Sequence, residues 1–266
     1  MRDDIILGVG TSFLFGFEGS DYVVTARHNL SGRHAETNVT IHPTGGGPNQ
    51  IELLTVVPVA ASTPTTPELS VTSQGRRIRF DDLDSGDLKD ICAYGHPDGR
   101  IVDVACIGPF QFSDELVTRA VNHETYGLIP LPLSAGDDAF VLGYPHFVDG
   151  GASFLPIWKR ASIASDPQRA DDRERPPRLL LDTATRRGMS GAPVFVRQSG
   201  LIIPGPPFQR DQLLGDEIIG TAHDFLGCYS SRLGEKDQLD SQLGIVWTRR
   251  AIEEILQARQ ILDLSS

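Results

Sequence analysis

The chain has 266 residues, 39% of them hydrophobic, with a net charge of −11 and a pI near 5.0. That is enough apolar material for a sizeable core, in one large all-β domain or two small ones, and it excludes a disordered tail. The acidic balance argues against a nucleic-acid partner, which needs a basic face to neutralise phosphates, and no run approaches the ~20 apolar residues of a membrane-crossing helix.

The opening "MRDDIILGVGTSFLFGF" carries acidic residues before a short apolar run and then passes into a strand pattern, so no secretory signal is expected. Short runs rich in Val, Ile, Leu and Phe follow one another between scattered glycines and prolines, which predicts many short strands joined by turns. In chain order they are "SFLFGF", "DYVVTA", "NVTIHP", "IELLTVV", "RIRF", "VDVACI", "AFVLGYP", "ASFLPIW", "RLLLDTA", "APVFV", "EIIGTAH" and "LGIVW". Two stretches read as long loops, "VPVAASTPTTPELSVTSQG" and "SDPQRADDRERPP". The acidic cluster Asp81, Asp82, Asp84, Asp87 and Asp90 lacks the spacing of a calcium loop and reads as solvated surface. Near the end, "TRRAIEEILQARQIL" sets Ile252, Ile255, Leu256 and Ala258 on one stripe, predicting a helix docked on the body. Cys92, Cys106 and Cys228 show no metal spacing and read as buried thiols. A reducing, cytoplasmic setting without metal or cofactor is the expectation.

"GMSGAPVF" places Ser190 between two glycines, in front of an apolar run. A serine hydroxyl is a poor nucleophile at neutral pH unless a base lies within hydrogen-bond reach and a third group fixes that base's tautomer. Among seven histidines, His28 stands where the strand-like "DYVVTA" gives way to a loop. Asp103 lies among the apolar residues of "IVDVACI", where burial demands a donor such as an imidazole N–H. From pattern alone, an aspartate on a solvent-facing strand edge reads equally well.

The order "GTSFLF…YVVTARHNL", "VDVACI", "GMSGAPVF" resembles the trypsin-like (chymotrypsin-fold) serine peptidases, and among them the bacterial V8-like and HtrA-like branch. The resemblance runs from about Gly10 to about Trp247. It implies two six-stranded antiparallel β-barrels with a C-terminal α-helix: residues 1–120 carrying His28 and Asp103, and residues 121–266 carrying Ser190 and the helix. It implies Ser190 as nucleophile, His28 as general base, Asp103 as its orienting acid, and the N–H groups of Gly188 and Ser190 as the oxyanion hole. The substrate would be a polypeptide, and Thr185, Thr221, Ala222 and His223 would line its cleft.

Some features depart from the family pattern. Asp103 follows His28 by 75 residues, farther than in compact members. Met189 precedes the serine where secreted trypsins have an aspartate that pairs with a freed N-terminus, so control is expected from a protein partner instead. Asp182, eight residues before the serine, is not at the offset of a trypsin-type specificity acid. His223 is one residue out of step with the histidine of glutamyl endopeptidases, and Arg186 and Arg187 either add positive character to the pocket or face solvent. The alternative function is a catalytically silent binding or regulatory module on the same fold. An α/β-hydrolase is disfavoured because Gly191-Ala192-Pro193 cannot open the required helix.

Overall fold

The computed structural model describes residues 5–59, 70–79, 91–110, 119–145, 155–203, 215, 217–233 and 242–262. The Asp81–Asp90 cluster lies outside them. Twelve described strands alternate with short turns and little helix, so the all-β class holds.

The first half begins with a tight hairpin. Strands β1 (Ser12–Phe17) and β2 (Ser20–Thr25) pair antiparallel across Glu18 and Gly19. Strands β5 (Cys92–Gly95) and β6 (Ala105–Phe110) extend this sheet in the order β1-β2-β6-β5. Strands β3 (Gln50–Val59) and β4 (Ser70–Arg79) form a separate hairpin. It docks through Ile78, buried with Leu14, Val23, Leu30 and Ile107. Both hairpin strands reach into the stretch read as one long loop, whose remaining residues, 60–69, lie outside the described ones. "NVTIHP" forms no strand; Thr40 makes only an isolated bridge to Arg33.

The second half closes as a six-stranded antiparallel barrel. Its strands are β7 (Asp138–Gly143), β8 (Ile157–Ile163), β9 (Arg178–Asp182), β10 (Pro193–Ile202), β11 (Ile218–Arg232) and β12 (Leu243–Thr248). They run in the order β10-β11-β12-β9-β8-β7, with β7 pairing back onto β10. Inward residues such as Val141, Leu181, Val194, Val196 and Val246 fill the interior, alternating along each strand as the pleat requires.

Helix α1 (Arg27–Ser31) follows β2 directly, and α2 (Gln168–Asp171) interrupts the charged stretch read as a loop. Helix α3 (Arg249–Ala258) buries Ala251, Ile252, Ile255 and Leu256 on one side; Ala258 is exposed, and Ala251 takes its expected place on the stripe. That stripe joins a core cluster shared by both halves, with Phe13, Phe15, Val24, Val104 and Cys106 from the first and Phe225, Cys228 and Trp247 from the second. Beyond α3 the chain returns to the first sheet, where Leu262 N–H donates to Ala93 O at 2.8 Å and Gly95 N–H to Gln260 O at 2.9 Å. His96 Nε2 pairs with Glu254 of α3 at 2.8 Å. Cys106 and Cys228 are buried and Cys92 half-buried, all as free thiols. No described helix is long and apolar enough to cross a membrane.

Candidate active site

Strand β2 buries Tyr22, Val23 and Val24, then the chain bends at Ala26 into α1. This puts His28 in the first turn of a helix at the strand's end. The partner arrives from the segment before β6, where Val104 N–H donates to Val102 O at 2.9 Å. That bond closes a three-residue turn whose central residue is Asp103. Val102 and Val104 are buried on either side.

Asp103 and His28 are joined twice. The His28 backbone N–H donates to Asp103 Oδ1 at 2.9 Å, and Nδ1 faces Oδ2 at 2.6 Å. Since an ionised carboxylate only accepts, Nδ1 carries the proton and Nε2 is left with a free lone pair. A third donor, the hydroxyl of Ser230 on β11, also binds Oδ2. Burial works against ionising Asp103, but the facing imidazole and the bonds from His28 and Ser230 outweigh it and hold the carboxyl below its usual range. Burial likewise works against a charged His28, but the Asp103 charge and hydrogen bond prevail and raise the imidazole above its ordinary 6.5.

Ser190 sits in a turn between β9 and β10, half-buried, with Gly188 and Met189 buried beside it. Gly188 and Gly191 have φ of 94° and 87°, a region that side chains disfavour. At Gly191 space forbids one as well: a Cβ would lie 2.1 Å from Thr11 O and 2.4 Å from Thr25 Oγ1. The turn is laced to its surroundings. Thr11 N–H donates to Ser190 O at 2.8 Å and Gly191 N–H to Tyr229 O at 2.7 Å. Thr11 Oγ1 donates to Gly188 O at 2.7 Å. Among the described residues, the N–H groups of Gly188 and Ser190 meet no acceptor.

Asn29, the residue after His28, donates its amide to Ser190 O at 3.0 Å, which brings α1 against the serine turn. No hydrogen bond joins Ser190 Oγ to His28 Nε2 among the described residues. Arg186 and Arg187 are exposed beside the turn.

The expected cleft residues fare differently. Thr185 is buried, and its hydroxyl is bonded to that of Tyr229, which is buried too, so it is not offered to solvent. Thr221, Ala222 and His223 are not brought to the serine. They pair with Ser199, Gln198 and Arg197, whereas the residue opposite Pro193 is Cys228. Four further pairs set His223 roughly 13 Å along the strand. The physical reason is that β11 runs for 15 residues, and its end at Tyr229 and Ser230 faces the site.

Thr11, Asn29, Tyr229 and Ser230 therefore escape a reading of the sequence motifs. Local signals were thin: a threonine opening a strand, an asparagine after a histidine, and polar residues after the apolar run "FLGCY". The two buried thiols are no rival nucleophiles, because burial pushes both far up, and Cys228 also faces the Asp103 charge. No cluster suited to a metal ion occurs among the described residues.

The family described as trypsin-like peptidase domain matches residues 10–203. No curated protein matches in sequence. Among solved structures, the chain is similar to the Rv3671c protease from M. tuberculosis in its active form, with 15% identity, a TM-score of 0.43, and coverage of 96% of this chain and 74% of that one. For the inactive form of the Rv3671c protease the figures are 16%, 0.40, 94% and 83%.

Proposed function

Because the chain belongs to the trypsin-like peptidase domain family, we propose that it is a serine endopeptidase acting on polypeptides through Ser190, His28 and Asp103. The observation that carries this reading is the two-point contact between His28 and Asp103, from which the Nδ1–H tautomer follows. Both Asp103 oxygens are engaged by His28 itself, which leaves Nε2 able to accept a proton.

In this reading Ser190 Oγ attacks the scissile carbonyl carbon while His28 Nε2 takes the hydroxyl proton. The imidazolium so formed is stabilised by the buried Asp103 carboxylate. The carbonyl oxygen, now an anion, receives the N–H groups of Gly188 and Ser190, where each donor in such a hole is worth roughly 2.7–4 kcal/mol of transition-state stabilisation. His28 then passes its proton to the leaving amine, and a water repeats the sequence to release the acyl group. The first sheet, within residues 1–120, supplies base and acid; the barrel, within 121–266, supplies the nucleophile.

A silent module on the same fold finds its one support in the missing Ser190–His28 hydrogen bond. That bond is commonly loose without substrate and tightens in the Michaelis complex, so the active reading is preferred. A fluorophosphonate probe decides between them. Labelling at Ser190 that disappears in His28→Ala is expected; a folded wild-type protein that resists the probe refutes the proposal.

A further inference from the structure

The oxyanion turn is held from outside the triad, and the structure assigns that task to Thr11, a positioning residue for the reaction proposed above, on which this inference rests. Thr11 stands just before β1, 177 residues from Gly188 in sequence. It is buried with its whole polar complement used. The N–H donates to Ser190 O at 2.8 Å, the carbonyl accepts Thr25 Oγ1 at 2.8 Å, and the hydroxyl accepts from Tyr144 N–H at 3.0 Å. With Tyr144 donating to that oxygen, the hydroxyl's own hydrogen is free to point at the Gly188 carbonyl, 2.7 Å away.

The consequence is read along three successive peptide planes. Between Gly188 and Met189, the carbonyl is held by the Thr11 hydroxyl and the N–H by Arg186 O at 3.3 Å. Between Ser190 and Gly191, the carbonyl is held by Thr11 N–H and Asn29, and the N–H by Tyr229 O. The plane between them has its carbonyl on Ala192 N–H at 3.0 Å, and its Ser190 N–H meets no acceptor among the described residues. With both neighbours pinned, the middle plane cannot turn that N–H away. Two of the pins come from Thr11, and among the described residues its hydroxyl alone holds the Gly188 carbonyl.

This matters because Gly188, at φ 94°, has more backbone freedom than any other residue type would. Without the hydroxyl the Gly188–Met189 plane is released, and the Ser190 N–H on the adjoining plane drifts from the aim that a developing oxyanion requires. Thr11 thus acts on the transition state and leaves ground-state substrate binding almost untouched.

The test uses the full chain, with kcat, KM and the fluorophosphonate labelling rate measured for wild type, Thr11→Val and Thr11→Ser. Valine keeps the branched shape and loses the hydroxyl; serine keeps the hydroxyl. A fall in kcat of about 10- to 100-fold is expected for Thr11→Val, smaller than the roughly 10²–10³ of deleting a donor outright, with KM little changed and activity recovered in Thr11→Ser. If Thr11→Val melts below the assay temperature, Thr11→Cys, of near-serine size but a weak donor, is expected to show the same loss. Wild-type kcat in the hydroxyl-free variant, or equal losses in the valine and serine variants, overturns the assignment. A wild-type protein inert to the probe overturns the peptidase reading instead, so the two failures are distinct.

Discussion

Asp103→Asn offers the sharpest test of the site, because the asparagine must choose between two orientations. Asp103 meets three donors, the His28 N–H at Oδ1 and both His28 Nδ1 and Ser230 Oγ at Oδ2. If the amide oxygen takes the Oδ2 position, the amide nitrogen confronts the His28 N–H, and two buried donors face each other. If it takes the Oδ1 position, the His28 N–H is satisfied, and the two amide hydrogens reach Nδ1 and the Ser230 hydroxyl, which can rotate to accept. The second orientation avoids an unpaired buried donor worth about 1–3 kcal/mol, a preference of roughly 5- to 150-fold. It also forces the proton onto Nε2, where it blocks transfer from Ser190. With the carboxylate's stabilisation of the imidazolium lost as well, kcat is expected to fall by up to about 10⁴-fold. Peptide hydrolysis, together with a melting curve showing that the variant folds, measures this. A folded Asp103→Asn enzyme within tenfold of wild-type kcat refutes the tautomer argument.

Further outcomes follow from the same geometry. Activity needs neutral His28, whose raised pKa puts the acid limb of the kcat/KM profile above pH 6.5; in Asp103→Asn burial is unopposed and the residual activity titrates below that value. The pair also stabilises the fold in a defined window. The Asp103 contribution is present above about pH 3.9 and lost as pH falls through its lowered folded pKa, while that of His28 is whole below 6.5 and lost as pH rises through its raised one; melting temperatures of wild type and Asp103→Asn across pH should diverge most between these limits. Ser230→Ala removes a hydrogen bond to a buried carboxylate, and a loss of about 1.5–3 kcal/mol is expected by chemical denaturation. Ile255→Ala, at a fully buried position of α3, should cost about 2–5 kcal/mol by the same measurement.

The triad candidates were legible because each carries a local signature. Ser190 is framed by glycines, His28 ends an apolar strand, and Asp103 interrupts an apolar run. What those residues need from elsewhere was not legible. Ser230 meets Asp103 across 127 residues, and Thr11 meets Gly188 across 177; no periodicity records such contacts. The misplaced cleft wall has a similar origin. Residues 217–223 do read as a strand, but the strand continues past its glycines to Arg232, with a register shift opposite Val194 and Phe195. The site lies at its far end. Of the β3–β4 hairpin, "IELLTVV" and "RIRF" carry a strand pattern, whereas the Pro and Thr residues between them mask how far each strand continues.

The division of the site between the halves has a temporal consequence. A ribosome releases the chain from its N-terminus, so the His28–Asp103 pair emerges long before Ser190, and Ser230 and the α3 stripe that joins the shared core come later still. In the peptidase proposed above, a half-made chain holds a base with nothing to activate, and hydrolytic capacity arrives late in synthesis, once Ser190 and the shared core are in place.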